Sequence, residues 1–274
     1  MFEERIGNAG DGGKWVCDPG RLVDLYKGDG GEEEEEEGKK CVVYSFGSGR
    51  KWGFEERVFE RVGKWRWDEQ QKKKVFDEGV KGCEIHTFDH TIGEVESPEY
   101  VKFHKWGLGK VDEPEKKLYS LERIIKELGH DNGKSRIEIF KIDIEGGEYD
   151  ALERYIGNGM LDKYGMRQIL IELHLPKMMK DERGRRLRWK KGGREKRGWY
   201  KVHAFFEGLY KDDWVVFHKE PNLLTSGSLV EYALLKMNWN GKGLVEEFVR
   251  ENPEHEMVKR WKAELEKQDS GAWE

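Results

Sequence analysis

The sequence predicts an α/β fold in which helices cover both faces of a mostly parallel β-sheet that ends in an antiparallel hairpin. Five short runs rich in Val, Ile, Phe and Tyr alternate with segments whose apolar residues recur at helical spacing. Two further apolar runs follow, separated by only a short turn region, and a parallel pair would need a crossover of a dozen residues or more. The 274 residues, 36% of them hydrophobic, suffice for one such domain.

The individual elements follow from local composition. Strands are predicted, from their β-branched and aromatic content, at 41–46, 83–88, 100–106, 136–142, 167–173, 214–221 and 230–237. Helices are predicted, from apolar spacing and glycine or polar stop signals, at 54–63, 120–130, 148–159 and 202–211.

Charge runs divide the chain into a domain, two insertions and a tail. The domain is predicted to span 1–240, interrupted by an acidic loop at 27–40 and a basic loop at 178–198, with a charged helical tail at 241–274. Like-charged, glycine-flanked runs repel themselves and bury no apolar surface, so both loops are predicted to be solvated. A contact of the basic loop with an acidic partner or nucleic acid is the alternative, and the surface-loop interpretation is favoured.

The overall charge excludes little. Fifty basic and 55 acidic side chains leave a net charge of −5, so no global field indicates nucleic acid or an anionic membrane as a partner.

No apolar run is long enough to span a bilayer, and the first residues lack the pattern of a secretory signal. A soluble, cytoplasmic protein is therefore expected, or a protein of the secretory pathway if a leader precedes this sequence.

The cysteines indicate neither a zinc site nor a disulfide framework. Cys17, Cys41 and Cys83 form none of the close pairs that zinc ribbons or thioredoxin-type sites require. Their odd number leaves at most one bridge, and a pair between Cys17 and Cys83 stays open if the chain is secreted.

A glycine turn follows the first predicted strand. In "VVYSFGSGRKWGFEE", Gly47 and Gly49 lie between that strand and the first helix. In open α/β sheets, ligands bind beyond the carboxyl ends of the strands, and glycine there lets the backbone approach the ligand closely. Ordinary turn chemistry is the alternative when nothing else supports a ligand.

Carboxylates at two further strand ends supply that support. Asp89 follows the second strand, where an acidic side chain can accept two hydrogen bonds from a ribose diol. Asp143 follows the fourth strand in "FKIDIEGGEYDAL", with Glu145 and Glu148 behind it. The three strand ends are therefore predicted to border one nucleoside-binding crevice.

The turn favours a ligand without phosphates. A dinucleotide site needs a third glycine to seat a pyrophosphate, and the sequence has Lys51 and Trp52 where the helix must approach closely. S-adenosylmethionine fits better. Asp143 and Glu145 are then expected to face its cationic sulfonium and amino groups, which would offset the cost of clustering carboxylates.

These residues also resemble a known family. The stretches "CVVYSFGSG", "GCEIHTFDHT", "FHKWGLG", "FKIDIEGGEYDAL" and "ILIELHL" are similar to methyltransferase-like proteins related to the FkbM methyltransferases. The resemblance implies a three-layer, Rossmann-like class I methyltransferase with a seven-stranded sheet, strand order 3-2-1-4-5-7-6 and strand 7 antiparallel. It also implies that Ser45, Gly47 and Gly49 border S-adenosylmethionine, that Asp89 holds the ribose and that Asp143 lies near the methionine end.

One position departs from the family pattern. Most such enzymes carry an acidic residue two positions before the first glycine, where this chain has Ser45. Glu55 or the cluster around Asp143 would have to compensate for the missing carboxylate.

Methyl transfer needs a base only where the acceptor must lose a proton. The candidates are His174, Glu172 and Glu145, and His174 is preferred over the alternative of a strand-end histidine satisfied by backbone groups. Together with Asp143 these residues also have the composition of a divalent-metal site, an interpretation that spacing alone does not support, so no metal is predicted.

The predicted function is S-adenosylmethionine-dependent methyl transfer to an oxygen or nitrogen atom of a small molecule, sugar or protein side chain. A catalytically inactive binding module of the same fold is the first alternative, because fold alone does not guarantee activity. An NAD-dependent oxidoreductase is the second, and the missing third glycine and the terminal hairpin disfavour it.

Overall fold

The structure is a computed structural model, and the residues that it describes are 2–8, 12–27, 39–174, 195–222 and 229–237, together with 254 and 259. Met1–Lys236 form one compact unit, and Met237–Glu274 form a second. Most of the predicted acidic loop, basic loop and helical tail therefore lies outside the described residues.

The described strands and helices follow one another along the chain as β1 (Glu3–Ile6), β2 (Lys14–Cys17), α1 (Pro19–Lys27), β3 (Lys40–Phe46), α2 (Gly53–Val62), β4 (Trp65–Asp68), β5 (Lys73–Phe76), β6 (Glu84–Phe88), β7 (Val101–His104), β8 (Gly107–Leu108), a 3-10 turn (Pro114–Lys116), β9 (Leu118–Tyr119), α3 (Leu121–Glu127), β10 (Ser135–Ile142), α4 (Glu148–Leu152), α5 (Met160–Lys163), β11 (Gln168–His174), α6 (Glu195–Lys211), β12 (Trp214–Pro221) and β13 (Leu229–Lys236).

The main sheet confirms the predicted fold class. Its strands lie in the order β7-β6-β3-β10-β11-β13-β12. The first five are parallel to one another, and β13 is antiparallel to both β11 and β12. Numbered along the chain, these seven described strands have the order 3-2-1-4-5-7-6.

Both faces of the sheet are apolar, as a parallel sheet covered by helices requires. Along β3, Val42 and Tyr44 belong to one buried cluster, while Cys41 and Val43 belong to the other. Successive side chains of a strand point to opposite faces, so a continuous apolar run supplies both cores.

Two local predictions were wrong at their ends. The helix predicted at 148–159 ends at Leu152. Beyond it, the N–H groups of Gly157, Asn158 and Gly159 donate to the carboxylate of Asp212 over 2.6, 3.2 and 2.9 Å instead of to helical carbonyl groups. The helix predicted at 202–211 begins earlier, at Glu195, so α6 includes the last residues of the predicted basic loop.

The disulfide differs from the pair left open by the sequence. Cys41 and Cys83 form the bridge, and Cys17 is a buried free thiol, so a Cys17–Cys83 pair is wrong. The register explains the pairing, since Val42 pairs with Glu84 and the cysteines directly precede these two residues. Within the described residues, no helix has both the length and the apolar composition needed to cross a membrane.

Candidate active site

A cavity of about 210 Å³ lies beyond the carboxyl ends of β3, β6 and β10. The predicted site residues that line it are Gly47, Gly49, Asp89, Asp143 and Glu145. The glycine turn and the two strand-end carboxylates, which are distant in sequence, therefore border one hollow. Ser45, Glu172 and His174 are not part of its lining.

Gly47 is required by the packing of two strand ends. Its φ is +80°, and a Cβ built on it would lie 1.7 Å from the carbonyl oxygen of Asp143. Gly49 also has a positive φ, +54°, yet a Cβ there would meet no atom of the described residues within 4 Å. Gly47 therefore serves the close approach of β3 and β10, whereas Gly49 leaves open space at the cavity wall.

The carboxylate of Asp89 accepts hydrogen bonds from the backbone of the glycine turn. Its Oδ2 accepts from the N–H groups of Ser48 and Gly49 over 3.1 and 2.9 Å, and its Oδ1 accepts from the N–H and hydroxyl of Thr91 over 3.0 and 2.7 Å. Burial raises the pKa of Asp89, but these hydrogen bonds outweigh it and lower the pKa below its usual value. A carboxylate offers about four lone-pair positions, so protein donors already occupy the group expected to hold a ribose.

Ser45 is paired with Glu55. The Ser45 hydroxyl donates to Oε1 of Glu55 over 2.6 Å, and both side chains are buried. Oε2 of Glu55 is buried and has no hydrogen-bond partner among the described residues, and Glu55 lines the cavity. A carboxylate from the first turn of α2 therefore lies beside Ser45 at the end of β3.

Lys141 is a cavity residue that the sequence analysis missed. Its Nζ donates to the carbonyl oxygen of Gly47 over 2.9 Å. Burial lowers the pKa of Lys141, and the carboxylate of Glu55 offsets that effect in part. The signal in the sequence was a lysine between the apolar residues Phe140 and Ile142 near the carboxyl end of a predicted strand.

A second residue that the sequence analysis missed is Lys14 of β2. It lies among the carboxylates of Asp143, Glu172 and Glu231, which form an acidic cluster. Its Nζ lies 3.5 Å from Oδ2 of Asp143 and 3.7 Å from Oε2 of Glu172, and it also bonds to Oε1 of Glu231. Lys14 is 2% exposed. The chain therefore supplies a buried ammonium of its own that offsets part of the cost of clustering these carboxylates. The expectation that Asp143 and Glu145 face a cationic ligand stays a prediction.

This cluster holds more acidic groups than cations. Burial, together with the neighbouring Asp143 carboxylate, raises the pKa of Glu172 to about 7, although Lys14 opposes the shift. Burial also raises the pKa of Glu231 against the effect of Lys14. Glu172 can therefore exchange a proton near neutral pH.

Glu148, which is fully buried, organises the turn after β10. Its Oε1 accepts from the N–H groups of Ile144 and Gly146 over 3.3 and 3.0 Å. The turn between them places Glu145 at a φ of +60°, and the Glu145 side chain is 87% exposed. The two glutamates that follow Asp143 therefore differ: Glu148 holds a local turn, and Glu145 is an exposed carboxylate at the cavity rim.

His174 lies between two of these carboxylates. Its Nδ1 is 2.9 Å from Oε1 of Glu148, and its Nε2 is 3.2 Å from Oε2 of Glu145. The hydrogen bond to Glu148 raises the pKa of His174 to about 9 despite its burial, so the ring is an imidazolium at neutral pH. It can accept a proton only after losing one, and its catalytic role stays a prediction.

The strand order, the antiparallel seventh strand and a cavity at the carboxyl ends of β3, β6 and β10 define a Rossmann-like fold of the methyltransferase type. The chain belongs to the methyltransferase family whose sequence model, described as "Methyltransferase domain", matches residues 1–236. It is also similar to "Probable methyltransferase-like protein 24" of Homo sapiens, with 27% identity over 104 residues. That match covers 34% of this chain and 27% of the human protein, so it spans about a quarter of that relative.

Proposed function

We propose that this chain transfers a methyl group from S-adenosylmethionine to an oxygen or nitrogen acceptor. The observation that carries the proposal is the convergence of Gly47, Asp89 and Asp143 on one cavity in a chain of the methyltransferase family. Oε2 of Glu55 in the same wall is buried and has no hydrogen-bond partner in the described part of the chain, which fits a ligand with a cationic group. The cavity is smaller than the roughly 300 to 1,000 Å³ of common small-molecule sites, so such a ligand would extend through its mouth.

The residues of this chain would act mainly by positioning. When bound, S-adenosylmethionine supplies an activated methyl group, and its displacement depends on holding donor and acceptor in line. Asp89 accepts hydrogen bonds from the backbone N–H groups of Ser48 and Gly49, so it would act on the ligand through the position of this turn. The open space beside Gly49 would then admit the ligand.

An acceptor that must lose a proton also needs a base. Among the predicted candidates, Glu172 has a pKa of about 7, which suits proton exchange at neutral pH. Glu145 is exposed at the rim, and His174 is already protonated. Glu172 does not line the cavity, however, whereas Glu145 does. Because a base must lie within reach of the proton that it removes, position favours Glu145 as the base in this proposal.

Calorimetric titration with S-adenosylmethionine and S-adenosylhomocysteine tests ligand binding. Transfer of tritiated methyl groups to fractionated cell extract, with extract alone as the control, tests catalysis. Binding together with transfer is the expected result.

Two alternatives give different outcomes. Ser45 at the strand end motivates an inactive binding module of the same fold, which would bind the ligand and transfer no methyl group. An NAD-dependent oxidoreductase would bind NAD in competition experiments. A protein that binds neither S-adenosyl compound at millimolar concentration would overturn the proposal.

A further inference from the structure

We propose that Glu55 is the anionic group that holds the α-ammonium of a bound amino-acid moiety in this cavity. The inference rests on the proposed function and assigns the cationic methionine end of the ligand to a residue on α2.

The first argument is an unsatisfied buried oxygen. Glu55 is 1% exposed, and Ser45 fixes its Oε1. Its Oε2 has no hydrogen-bond partner in the described part of the chain, although Glu55 lines the cavity. A buried carboxylate oxygen without a partner is costly, and an ammonium donor from a ligand would satisfy it.

The second argument concerns the neighbouring cation. Lys141 lines the same cavity, and its Nζ bonds to the carbonyl oxygens of Phe46 and Gly47 over 3.5 and 2.9 Å. Within the described residues no ion pair joins Lys141 to Glu55, although the Glu55 carboxylate partly offsets the effect of burial on the pKa of Lys141. One anion and one cation in a common wall match the zwitterion of an α-amino acid better than they match a simple cation.

The helix dipole alone does not account for the burial of Glu55 in the cavity wall. Acidic residues are favourable in the first turn of a helix, and α2 has two there, Glu55 and Glu56. Glu56 is exposed, as a charge that only complements the helix dipole can be. The burial of Glu55, its bond to Ser45 and its position at the cavity point instead to a ligand.

A ligand pair tests the assignment. S-adenosylhomocysteine is compared by calorimetry with its analogue in which hydrogen replaces the α-amino group. The wild-type chain is expected to bind the amino compound about 10- to 100-fold more tightly, as a charge-assisted hydrogen bond allows. Glu55→Gln, which keeps an oxygen for Ser45, is expected to lose this preference, whereas Glu56→Gln keeps it.

The outcomes separate the two proposals. A wild-type chain that binds both compounds equally overturns the role of Glu55 and leaves the proposed function intact, and this comparison needs no variant to fold. A Glu55→Gln variant that retains the preference also overturns it. Absence of binding of either compound to the wild-type chain overturns the proposed function, and the inference with it.

Discussion

The ammonium of Lys14 lies 3.5 Å from the carboxylate of Asp143, so the N-terminal hairpin supplies a cation to the carboxyl end of β10. The same ammonium contacts Glu172 of β11 and Glu231 of β13. One buried lysine thus links β2 to three strands of the main sheet. Carboxylates can collect at these strand ends because their repulsion is offset within the chain.

Lys14→Met is expected to destabilise the protein strongly. The change leaves the buried Glu172 and the half-buried Asp143 and Glu231 without their cation, and removing one partner of a buried ion pair costs about 3 to 5 kcal/mol. The free energy of unfolding from urea titrations at pH 7 measures the loss. Lys126→Met, at an exposed position of α3, is the matched control. Equal losses in the two variants would contradict the stabilising role of the contacts between Lys14 and the three carboxylates.

The two glycines of the turn are expected to differ in their tolerance of alanine. Gly49→Ala places a side chain in open space at positive φ and should cost about 1 to 2 kcal/mol. Gly47→Ala should cost clearly more, because its Cβ would overlap the backbone of Asp143. Thermal unfolding of both variants measures the difference, and a Gly47→Ala variant as stable as Gly49→Ala would refute the packing argument.

The Cys41–Cys83 bridge is expected to stabilise the fold. It closes a loop with a sequence separation of 42, for which the chain-entropy estimate is about 4 kcal/mol and measured values are commonly about 2 to 4 kcal/mol. Reductant should therefore lower the melting temperature of the wild-type chain and of Cys17→Ala, and should have no such effect on the Cys41→Ala, Cys83→Ala double variant. A reductant effect that persists in the double variant would exclude this bridge as its cause.

Asp89→Ala is expected to destabilise the ligand-free protein by about 1 to 3 kcal/mol, because buried N–H donors of the glycine turn lose their acceptor. A residue that only held a ribose would change ligand affinity and leave the ligand-free stability unchanged. Urea titration without ligand distinguishes the two roles. Asp131→Ala, at an exposed position, provides the matched control.

The sequence predicted the fold best where a single local property, such as the apolar pattern of a segment or the length of a connection, determines the structure. Alternation of apolar strands with helical segments was enough to predict the sheet, and the short connection before β13 predicted its antiparallel partner. Gly47, Asp89 and Asp143 could be assigned to one crevice because parallel strands end at the same edge.

Contacts between distant segments were beyond the reach of such patterns. Lys14 precedes the glycine turn by more than a whole helix and strand, and a single lysine in "DGGKWVC" carries no sign that three carboxylates surround it. Asp89 was assigned to a ribose because its position at a strand end is visible in the sequence. Its hydrogen bonds from Ser48, Gly49 and Thr91 depend on the folded backbone.

The charged His174 is expected to make the stability of the protein fall at alkaline pH. Its pKa is about 9 in the folded chain and about 6.5 in an unfolded one, so its contribution to stability is fully present below pH 6.5 and is lost as pH rises through about 9. The free energy of unfolding should therefore fall between these values in the wild-type chain and fall less in His174→Gln. His203→Gln removes an exposed histidine and is the control, and a wild-type profile matching that of His174→Gln would show that the ring is neutral in the folded chain.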